Sequence, residues 1–362
     1  MNGNMDVYKP NWRESRQRLT DWWAGKPVDR AIAQVRAPLT PAKPLRAAYL
    51  DGCPAKYTDF DTVFNNLDFG LERTFWGGEL LPWHFVYLGP MFNLTFLGCE
   101  PNFTPTTTWY EPIASNLDEL LHLEWDRDNR WWLLALEMVR RSAQRANGSY
   151  LTSGKGISSI IDTIAGLLGN ENLLVAMAEE PDKLKAVRDR IAAWGEEAYA
   201  KGWRAAGGTQ DGTIDWMGIW GPGKVVTAQC DFCVMISPEM FRDFVKEDLE
   251  SSFAFADHCV YHLDGEEQIR HLDILLSIEK LKLIQWVPSE RANQTGYKDP
   301  MNWLSLFKRI QEAGKSVLVY CPPERVAPLL RAIDPGKVVL NVCCPDQRTA
   351  EQTLLEIERI GV

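Results

Sequence analysis

The distribution of apolar residues changes near position 116. From there onward, short apolar runs such as "CVYHLD" and "LKLIQWV" alternate with stretches in which apolar residues recur every three or four positions, as in "EEQIRHLDILLSI". A short apolar run predicts a buried strand, whereas the wider spacing predicts an amphipathic helix. At least six strands occur in this alternation, which is typical of parallel βαβ units.

The first 115 residues are less regular. The segment "WRESRQRLTDWWAG" has helical spacing, and a short apolar segment, "RAIAQVRAP", follows it. Residues 38–58 are rich in proline, and residues 60–115 contain many aromatic, glycine and proline residues, which favour long loops. We therefore treat residues 1–115 as an N-terminal extension with aromatic-rich loops. Residues 116–362 are the regular βα units, and one domain spans 1–362.

This organisation predicts an α/β fold, a (β/α)8 TIM barrel with an N-terminal helical and irregular extension. A doubly wound open sheet is the alternative, but no glycine-rich phosphate-binding fingerprint follows any predicted strand. In a barrel, functional side chains stand where strands end and the following loops begin. Because "GTIDWMGIWG" is also predicted to be a strand, the strand-end candidates are Trp220, His262, Asp264, Gln285, Trp286, Cys321, Cys343 and Cys344.

Composition excludes several classes of partner. Hydrophobic residues make up 45% and charged residues 24% of the 362 residues, which is typical of a globular protein with a large core. The formal net charge is −10 and there is no basic block, which argues against nucleic acid or an anionic membrane. No apolar run approaches the roughly 20 residues that span a bilayer. The polar N-terminus does not resemble a signal peptide, so we expect a cytoplasmic protein.

Cysteine and tryptophan are the residue types that suggest a site. Eight cysteines are too few for a disulfide scaffold in a chain of this length, so we expect thiols, some of which could bind metal. Cys230 and Cys233 form a single Cys-x-x-Cys, for which metal binding, redox cycling and simple burial remain open. The 15 tryptophans fit either a bulky core or an aromatic-walled pocket, with Trp76 and Trp83 as candidate walls.

The pair His262 and Asp264 is the strongest local signal. Residues two apart in a strand point to the same side, so the imidazole and the carboxylate leave the strand end together. They are candidate ligands of a metal ion, with Cys321, Cys343 or Cys344 completing the set, although at most one of the adjacent cysteines faces inward from a regular strand. They are equally a candidate acid–base pair, or a hydrogen-bonded pair that only orders a loop.

Four stretches resemble the uroporphyrinogen decarboxylase superfamily. They are "MISPEMFRDFVKEDL", "YHLDG" with the following "HLDILLSI" and "LKLIQWVP", "FKRIQEAGKSVLVYC", and "VVLNVCCPD" with "AEQTLLEIERIG". The resemblance implies a (β/α)8 barrel. The superfamily contains the porphyrinogen decarboxylase and the cobamide-dependent methyltransferases, in which a zinc ion activates a thiol methyl acceptor.

The motifs of the decarboxylase itself are poorly kept. Its "MRQAGR" arginine motif reads "AQVRAPLTP" here, which leaves Arg36, and its "FSDIL" aspartate segment reads "FWGGELLP", which offers Glu79. The histidine of its "NLGHG" is lost in "NVCCP". The aspartate of its "FDSWAG" stretch corresponds to Asp231. An acidic chain does not offer the cationic pocket that a porphyrinogen with eight carboxylates requires, so the true decarboxylase is disfavoured.

The methyltransferase branch is matched more closely. Its zinc site uses His-x-Cys at one strand end and a further cysteine near the last strand. Here these places hold His262-x-Asp264 and the pair Cys343–Cys344. Aspartate is an accepted zinc ligand, but it makes the site less electron-rich than a thiolate does.

We therefore predict a methyltransferase of a corrinoid-dependent system that moves a methyl group between a small methylated compound and a corrinoid protein or thiol, assisted by zinc. The alternatives are a metal-free decarboxylase or lyase with Arg36 holding a carboxylate, and a non-catalytic tetrapyrrole-binding protein. The expected partners are a small methylated substrate and a corrinoid carried by a partner protein, without nucleic acid or membrane. A homodimer is the assembly we consider.

Overall fold

The computed structural model describes residues 5–39, 49–154, 156–157, 159–207, 212–289 and 298–362. It is an α/β fold in which a central, mainly parallel sheet is surrounded by helices. The proline-rich segment 38–58 lies partly outside the described residues.

The strands are short and follow the apolar runs of the sequence. They are β1 Ile32–Pro38, β2 Thr74–Gly78, β3 Trp83–Val86, β4 Asn102–Phe103, β5 Thr108–Trp109, β6 Leu151–Gly154, β7 Thr213–Ile214, β8 Trp220–Gly221, β9 Val225–Ala228, β10 His258–Asp264, β11 Leu281–Val287, β12 Ser316–Tyr320 and β13 Val338–Cys343.

Helices fill most of the connections. They are α1 Trp12–Trp23, α2 Ala55–Thr58, α3 Phe60–Arg73, α4 Asn93–Phe96, α5 Leu117–His122, α6 Arg130–Ala146, α7 Ile160–Leu168, α8 Asn170–Glu179, α9 Pro181–Ala205, α10 Pro238–Met240, α11 Glu247–Ala254, α12 Leu272–Ser277, α13 Leu304–Glu312, α14 Val326–Ala332 and α15 Gln347–Ile360. A π-helical turn, Phe241–Lys246, joins α10 to α11. The Ser237 side chain caps α10 by accepting the Met240 N–H at 3.3 Å.

The sheet keeps the order of the chain. Strands β9, β10, β11, β12 and β13 pair in parallel with their neighbours, and β13 pairs in parallel with β1. Strand β2 lies antiparallel on the other side of β1, while β3 and β6 form a separate parallel pair. The predicted α/β fold with parallel βα units is confirmed. Within the described ranges, the hydrogen-bonded strands do not close into a ring.

The predicted strand over "GTIDWMGIWG" is wrong. This segment forms β7 and β8, which pair with each other in antiparallel fashion around a turn. The Asp215 carboxylate accepts the N–H of Trp216, and Gly218 adopts a positive φ of 71°. A local carboxylate–backbone hydrogen bond and a glycine in the left-handed region favour a turn over an extended strand. The strand at this place in the sheet is β9 instead.

Alternating side chains divide the sheet into two faces. Alternate residues of six neighbouring strands belong to one apolar cluster with the tryptophans of α1: Ile32, Val225, Val260, Leu283, Leu318 and Val339. The residues between them pack with the surrounding helices in a second, larger cluster. The first set therefore faces the interior of the sheet, where α1 covers it.

Glu79 belongs to a buried ion cluster at the amino-terminal end of β1. Its carboxylate accepts hydrogen bonds from Arg30, from Arg18 and from the Ala33 N–H at 2.8–3.0 Å. Because β2 runs antiparallel to β1, the chain after β2 returns to the start of β1 rather than to its carboxyl end. Glu79 therefore joins α1 to the sheet, and the structure does not bring it to the strand ends that carry His262.

None of the described helices has by itself the length and apolar character needed to cross a membrane. The helices α7 and α8 meet that standard only when taken together, and they are bent by 112° relative to each other.

We predict that Glu79→Ala destabilises the protein by about 3–5 kcal/mol, because it leaves a buried guanidinium without its carboxylate. Urea unfolding followed by tryptophan fluorescence measures the change. Glu100→Ala is the control, because Glu100 and its partner Arg130 are both 70% exposed and their ion pair contributes little. Equal unfolding midpoints for the two variants would contradict this role of Glu79.

Candidate functional site

A polar layer lies directly beyond the apolar interior layer. Two residues further along the same six strands, the inward positions hold Gln34, Thr227, His262, Gln285, Tyr320 and Asn341. Five of these residues are buried or half-buried, and Tyr320 is 47% exposed. The two-residue period of the strands therefore gathers polar groups near their carboxyl ends, where parallel-sheet proteins place their sites.

His262 is held by polar groups at both ring nitrogens. Its Nδ1 is hydrogen-bonded to Oε1 of Gln285, the cross-strand neighbour on β11, and its Nε2 lies 3.6 Å from Oδ2 of Asp264. Since an amide oxygen only accepts, Nδ1 carries the hydrogen in this arrangement. Burial favours the neutral imidazole, but the hydrogen bonds to Asp264 and Gln285 and the charges of Asp264 and Asp231 outweigh it and raise the pKa of His262.

The turn between β7 and β8 packs against the polar layer at His262. The ring of Trp216 packs edge-on against the His262 imidazole, with the ring centroids 5.3 Å apart. The Asp215 carboxylate accepts the N–H groups of Trp216 and Thr227, which ties this turn to β9. Trp216 is therefore the aromatic residue in ring contact with His262.

Gln34 connects the same turn to β13. Its Nε2 donates to the Gly218 carbonyl at 2.5 Å, and its Oε1 accepts from Asn341 Nδ2 at 3.4 Å. Hydrogen bonds connect Asn341 through Gln34 to the turn. The Trp216 ring on that turn contacts the His262 ring, and His262 is hydrogen-bonded to Gln285.

Arg36 and Cys343 lie one step further toward the strand ends. They are cross-strand neighbours on β1 and β13, and both side chains are exposed. Cys344 points the other way: it is buried, and its Sγ lies 3.9 Å from Oγ1 of Thr353 on α15. Of the two adjacent cysteines, only Cys343 faces inward.

Cys321 borders a separate cleft. Its buried Sγ lies 3.5 Å from the Pro322 carbonyl, and burial raises the pKa of this thiol to about 12. The cleft has a volume of about 710 Å³ and is lined by Trp286, Trp303, Tyr320, Cys321, Asn341 and Cys343, among others. It shares Tyr320 and Asn341 with the polar layer, so the layer has an aromatic-walled cleft on this side.

The predicted metal ligands are only partly brought together. His262 and Asp264 are adjacent, whereas Cys344 faces α15 and Cys321 borders the separate cleft. Among the described residues, no group of three or more histidine, cysteine, aspartate and glutamate side chains is arranged to hold a metal ion. The residues present therefore do not fit a complete zinc site, and we derive no step through a metal.

The predicted aromatic walls are mostly elsewhere. Trp76 packs with Leu71 and Tyr150 in a small cluster outside the sheet interior. Trp220 is buried beneath the polar layer, where its carbonyl accepts from Trp23 Nε1 at 3.0 Å. Trp83 alone lies beside the turn between β7 and β8, because a Cβ atom on Gly218 would be 3.3 Å from its ring.

Asp231 influences the site through its charge. It lies in the loop after β9, where the Asp162 carboxylate accepts its N–H at 3.0 Å and its negative charge helps to raise the pKa of His262. The flanking Cys230 and Cys233 are buried, and hydrogen bonding between the two thiols is the main cause that lowers the pKa of Cys233 to about 6. The structure leaves open the redox and metal alternatives for this pair.

Comparison with known proteins finds a likeness among solved structures. No family model matches the chain, and no curated protein matches it. Among solved structures, a methyltransferase from Methanosarcina mazei superposes with a TM-score of 0.62 at 14% identity, over 95% of this chain and 98% of that chain. At this level of identity the likeness shows a shared fold.

Sequence reasoning missed Gln34, Thr227, Asn341 and Trp216. Three of them could have been found from the sequence. A polar residue faces the interior when it lies an even number of positions from an inward-facing residue of the same strand. Gln34 in "IAQVRAP" and Asn341 in "VVLNVC" are such residues. Trp216 carried no such signal, since it lies in the turn that was predicted to be a strand.

We predict that Asp264→Asn lowers the pKa of His262, because the variant loses the carboxylate that stabilises the imidazolium. Histidine-labelled NMR titration resolves the shift among only five histidines. His84 is the control, because burial lowers its pKa to about 4 and nothing near it changes. The stability that charged His262 contributes is present below its unfolded pKa of about 6.5 and is lost as pH rises through the raised folded value. An unchanged His262 pKa would contradict the pairing.

We also predict that Cys343 reacts first with a maleimide under native conditions. It is exposed, Cys53 is half-buried and the other six cysteines are buried. Peptide mass spectrometry locates the label, and Cys343→Ser should remove the fast phase, whereas Cys344→Ser should leave it unchanged. Fast labelling at Cys344 or Cys321 would contradict the assigned orientations.

Proposed function

We propose that the protein is an enzyme of methyl transfer built on a (β/α)8 barrel, with the reacting group beside His262. The barrel is supported by the sheet order, in which the last parallel strand pairs with the first and the chain order is kept between them. A doubly wound sheet reverses its strand order at a switch point instead. The fold likeness to a methyltransferase over nearly the whole chain supports the reaction class.

The observation that carries the proposal is the fixed His262 imidazole. Gln285 holds Nδ1, Asp264 faces Nε2 and Trp216 packs against the ring, all at the carboxyl ends of parallel strands. An imidazole that has a polar neighbour at each ring nitrogen and a raised pKa is suited to donate a proton from Nε2.

Such a proton completes the balance of a methyl transfer. The attacking nucleophile forms a bond to the methyl carbon as the bond from carbon to the leaving heteroatom breaks. The electron pair of that bond stays on the leaving heteroatom, which takes the proton from His262 Nε2. Asp264 stabilises the imidazolium before the step, and Gln285 keeps the ring in position. In the reverse direction, neutral His262 accepts the proton from the nucleophile.

The second methyl carrier in this proposal is a corrinoid held by a partner protein, or a thiol, as the superfamily resemblance implies. Zinc assistance is part of the same resemblance. It would require ligands beyond His262 and Asp264. The candidate is Cys343, which is exposed and lies opposite Arg36 on β13. We expect the protein to act in the cytoplasm on a small methylated compound.

One observation favours a second candidate, a lyase acting on a small carboxylate. Arg36 is exposed at the mouth of the polar layer, where it is the cross-strand neighbour of Cys343. A guanidinium there is suited to hold a carboxylate while His262 handles the proton.

We predict that His262→Ala lowers methyl transfer at least about 100-fold, as expected for loss of a positioned proton donor. The assay follows methylcobalamin by its visible spectrum with thiol acceptors, and cob(I)alamin with a panel of small methylated compounds. His122→Ala is the control, because His122 is exposed on α5. Full transfer by His262→Ala would refute the proposed role.

Metal content separates the two forms of the mechanism. Mass spectrometry on anaerobically purified protein, wild type beside His262→Ala, counts zinc per chain. About one zinc that is lost in the variant supports the zinc-assisted form. Metal-free protein that still transfers methyl groups supports the acid–base form, and metal-free protein that instead releases CO₂ from small carboxylates supports the lyase.

A further inference from the structure

Two buried amide side chains of the polar layer have an atom without a hydrogen-bond partner among the residues that the structure describes. They are Nε2 of Gln285 and Oδ1 of Asn341, whose residues are 0% and 3% exposed. A buried polar atom without a partner costs free energy, so each one calls for an explanation, such as an ordered water, an ion or a ligand. Both atoms belong to the interior layer that contains His262.

The hydrogen bonds of the layer determine which end of each amide remains. Gln285 uses its oxygen for His262 Nδ1, which leaves an N–H donor. Asn341 uses its nitrogen for Gln34 Oε1 at 3.4 Å, which leaves an oxygen acceptor. Gln34 in turn is anchored to the Gly218 carbonyl, so the Asn341 amide is not free to turn over without losing that chain of hydrogen bonds. The two amides therefore leave one donor and one acceptor, and the Thr227 hydroxyl of the same layer is also unpartnered among the described residues.

The two atoms lie on opposite sides of one strand. Gln285 on β11 and Asn341 on β13 flank β12, with a stagger of two residues between their registers. Two interstrand spacings combined with that stagger put their Cα atoms roughly 12 Å apart. Both residues occupy inward positions of their strands, so the two amides face the same interior.

We propose that the site binds a ligand through a neutral group that both accepts and donates a hydrogen bond, a carboxamide or a hydroxyl, held between Gln285 Nε2 and Asn341 Oδ1. A carboxylate does not match, because it brings no donor to the Asn341 oxygen. A tertiary amide or a quaternary ammonium group fails for the same reason. Such a group places the rest of the ligand beside His262. That it belongs to the methyl donor rests on the proposed function, whereas the binding preference does not.

Ligand binding to the full-length protein tests the proposal without turnover. The probes are propionamide, N,N-dimethylpropionamide and propionate, followed by NMR at the side-chain amide signals of Gln285 and Asn341. Propionamide should bind at least about tenfold more tightly than the other two, the difference that one or two buried hydrogen bonds make. Equal affinity for the three probes, or no binding to folded protein, would mean that water satisfies both amides and would overturn the proposal.

A variant that is expected to prefer a different probe tests the same role of Asn341. Asn341→Asp introduces a negative charge on a side chain of nearly the same size. Charge attraction should therefore make the variant prefer propionamidine, a cationic donor, over propionamide, although the amidinium offers no acceptor to Gln285 Nε2. The control is Asn147→Asp, which changes an exposed asparagine at the end of α6 and should keep the wild-type preference. An Asn341→Asp variant that retains the wild-type order of affinities would refute the role of Asn341. Because binding is measured directly, failure of the methyl-transfer assay leaves this result unaffected, and the reverse also holds.

Discussion

The two-residue period of the parallel strands is the constraint on which the rest of the structure depends. Because β13 pairs with β1 and the strands between β9 and β13 keep chain order, their side chains point alternately to one shared interior and to the surrounding helices. The first inward layer is apolar and is covered by α1, and the next one is polar. A shift of one residue in any strand would exchange these sets, so the apolar layer that stabilises the fold also sets the position of the site.

The two ends of the sheet differ in how completely their buried charged and polar groups are hydrogen-bonded. At the amino-terminal end, the Glu79 carboxylate is fully satisfied by two guanidinium groups and a backbone N–H, which is what a structural buried ion cluster requires. Near the carboxyl ends, Gln285 and Asn341 each leave one atom unpaired despite burial. The unpaired amide atoms give the interior layer two positions at which a further polar group can form hydrogen bonds, whereas the Glu79 carboxylate has none.

Local patterns in the sequence were sufficient for the βα alternation, for His262 beside Asp264, and for the expectation that at most one of the adjacent cysteines faces inward. They failed where the outcome depends on pairing between distant segments. Glu79 followed the family register, but the antiparallel pairing of β2 turns it toward Arg30. Trp220 was assigned to a strand end because nothing in its short apolar run reveals the Asp215 turn, and that same turn carries Trp216 to His262. Pairing between distant segments produces no periodic pattern in the sequence, so local patterns do not predict it.

The carboxylate at position 264 has a direct consequence for the chemistry of His262. A metal ion binds only the neutral imidazole, and the Nε2 position it needs is the one that faces the Asp264 carboxylate. A carboxylate that raises the pKa of His262 therefore strengthens proton binding at the nitrogen for which a metal would compete. A proton and a metal ion thus exclude each other at His262 Nε2, and the pH decides which of the two the pair with Asp264 favours.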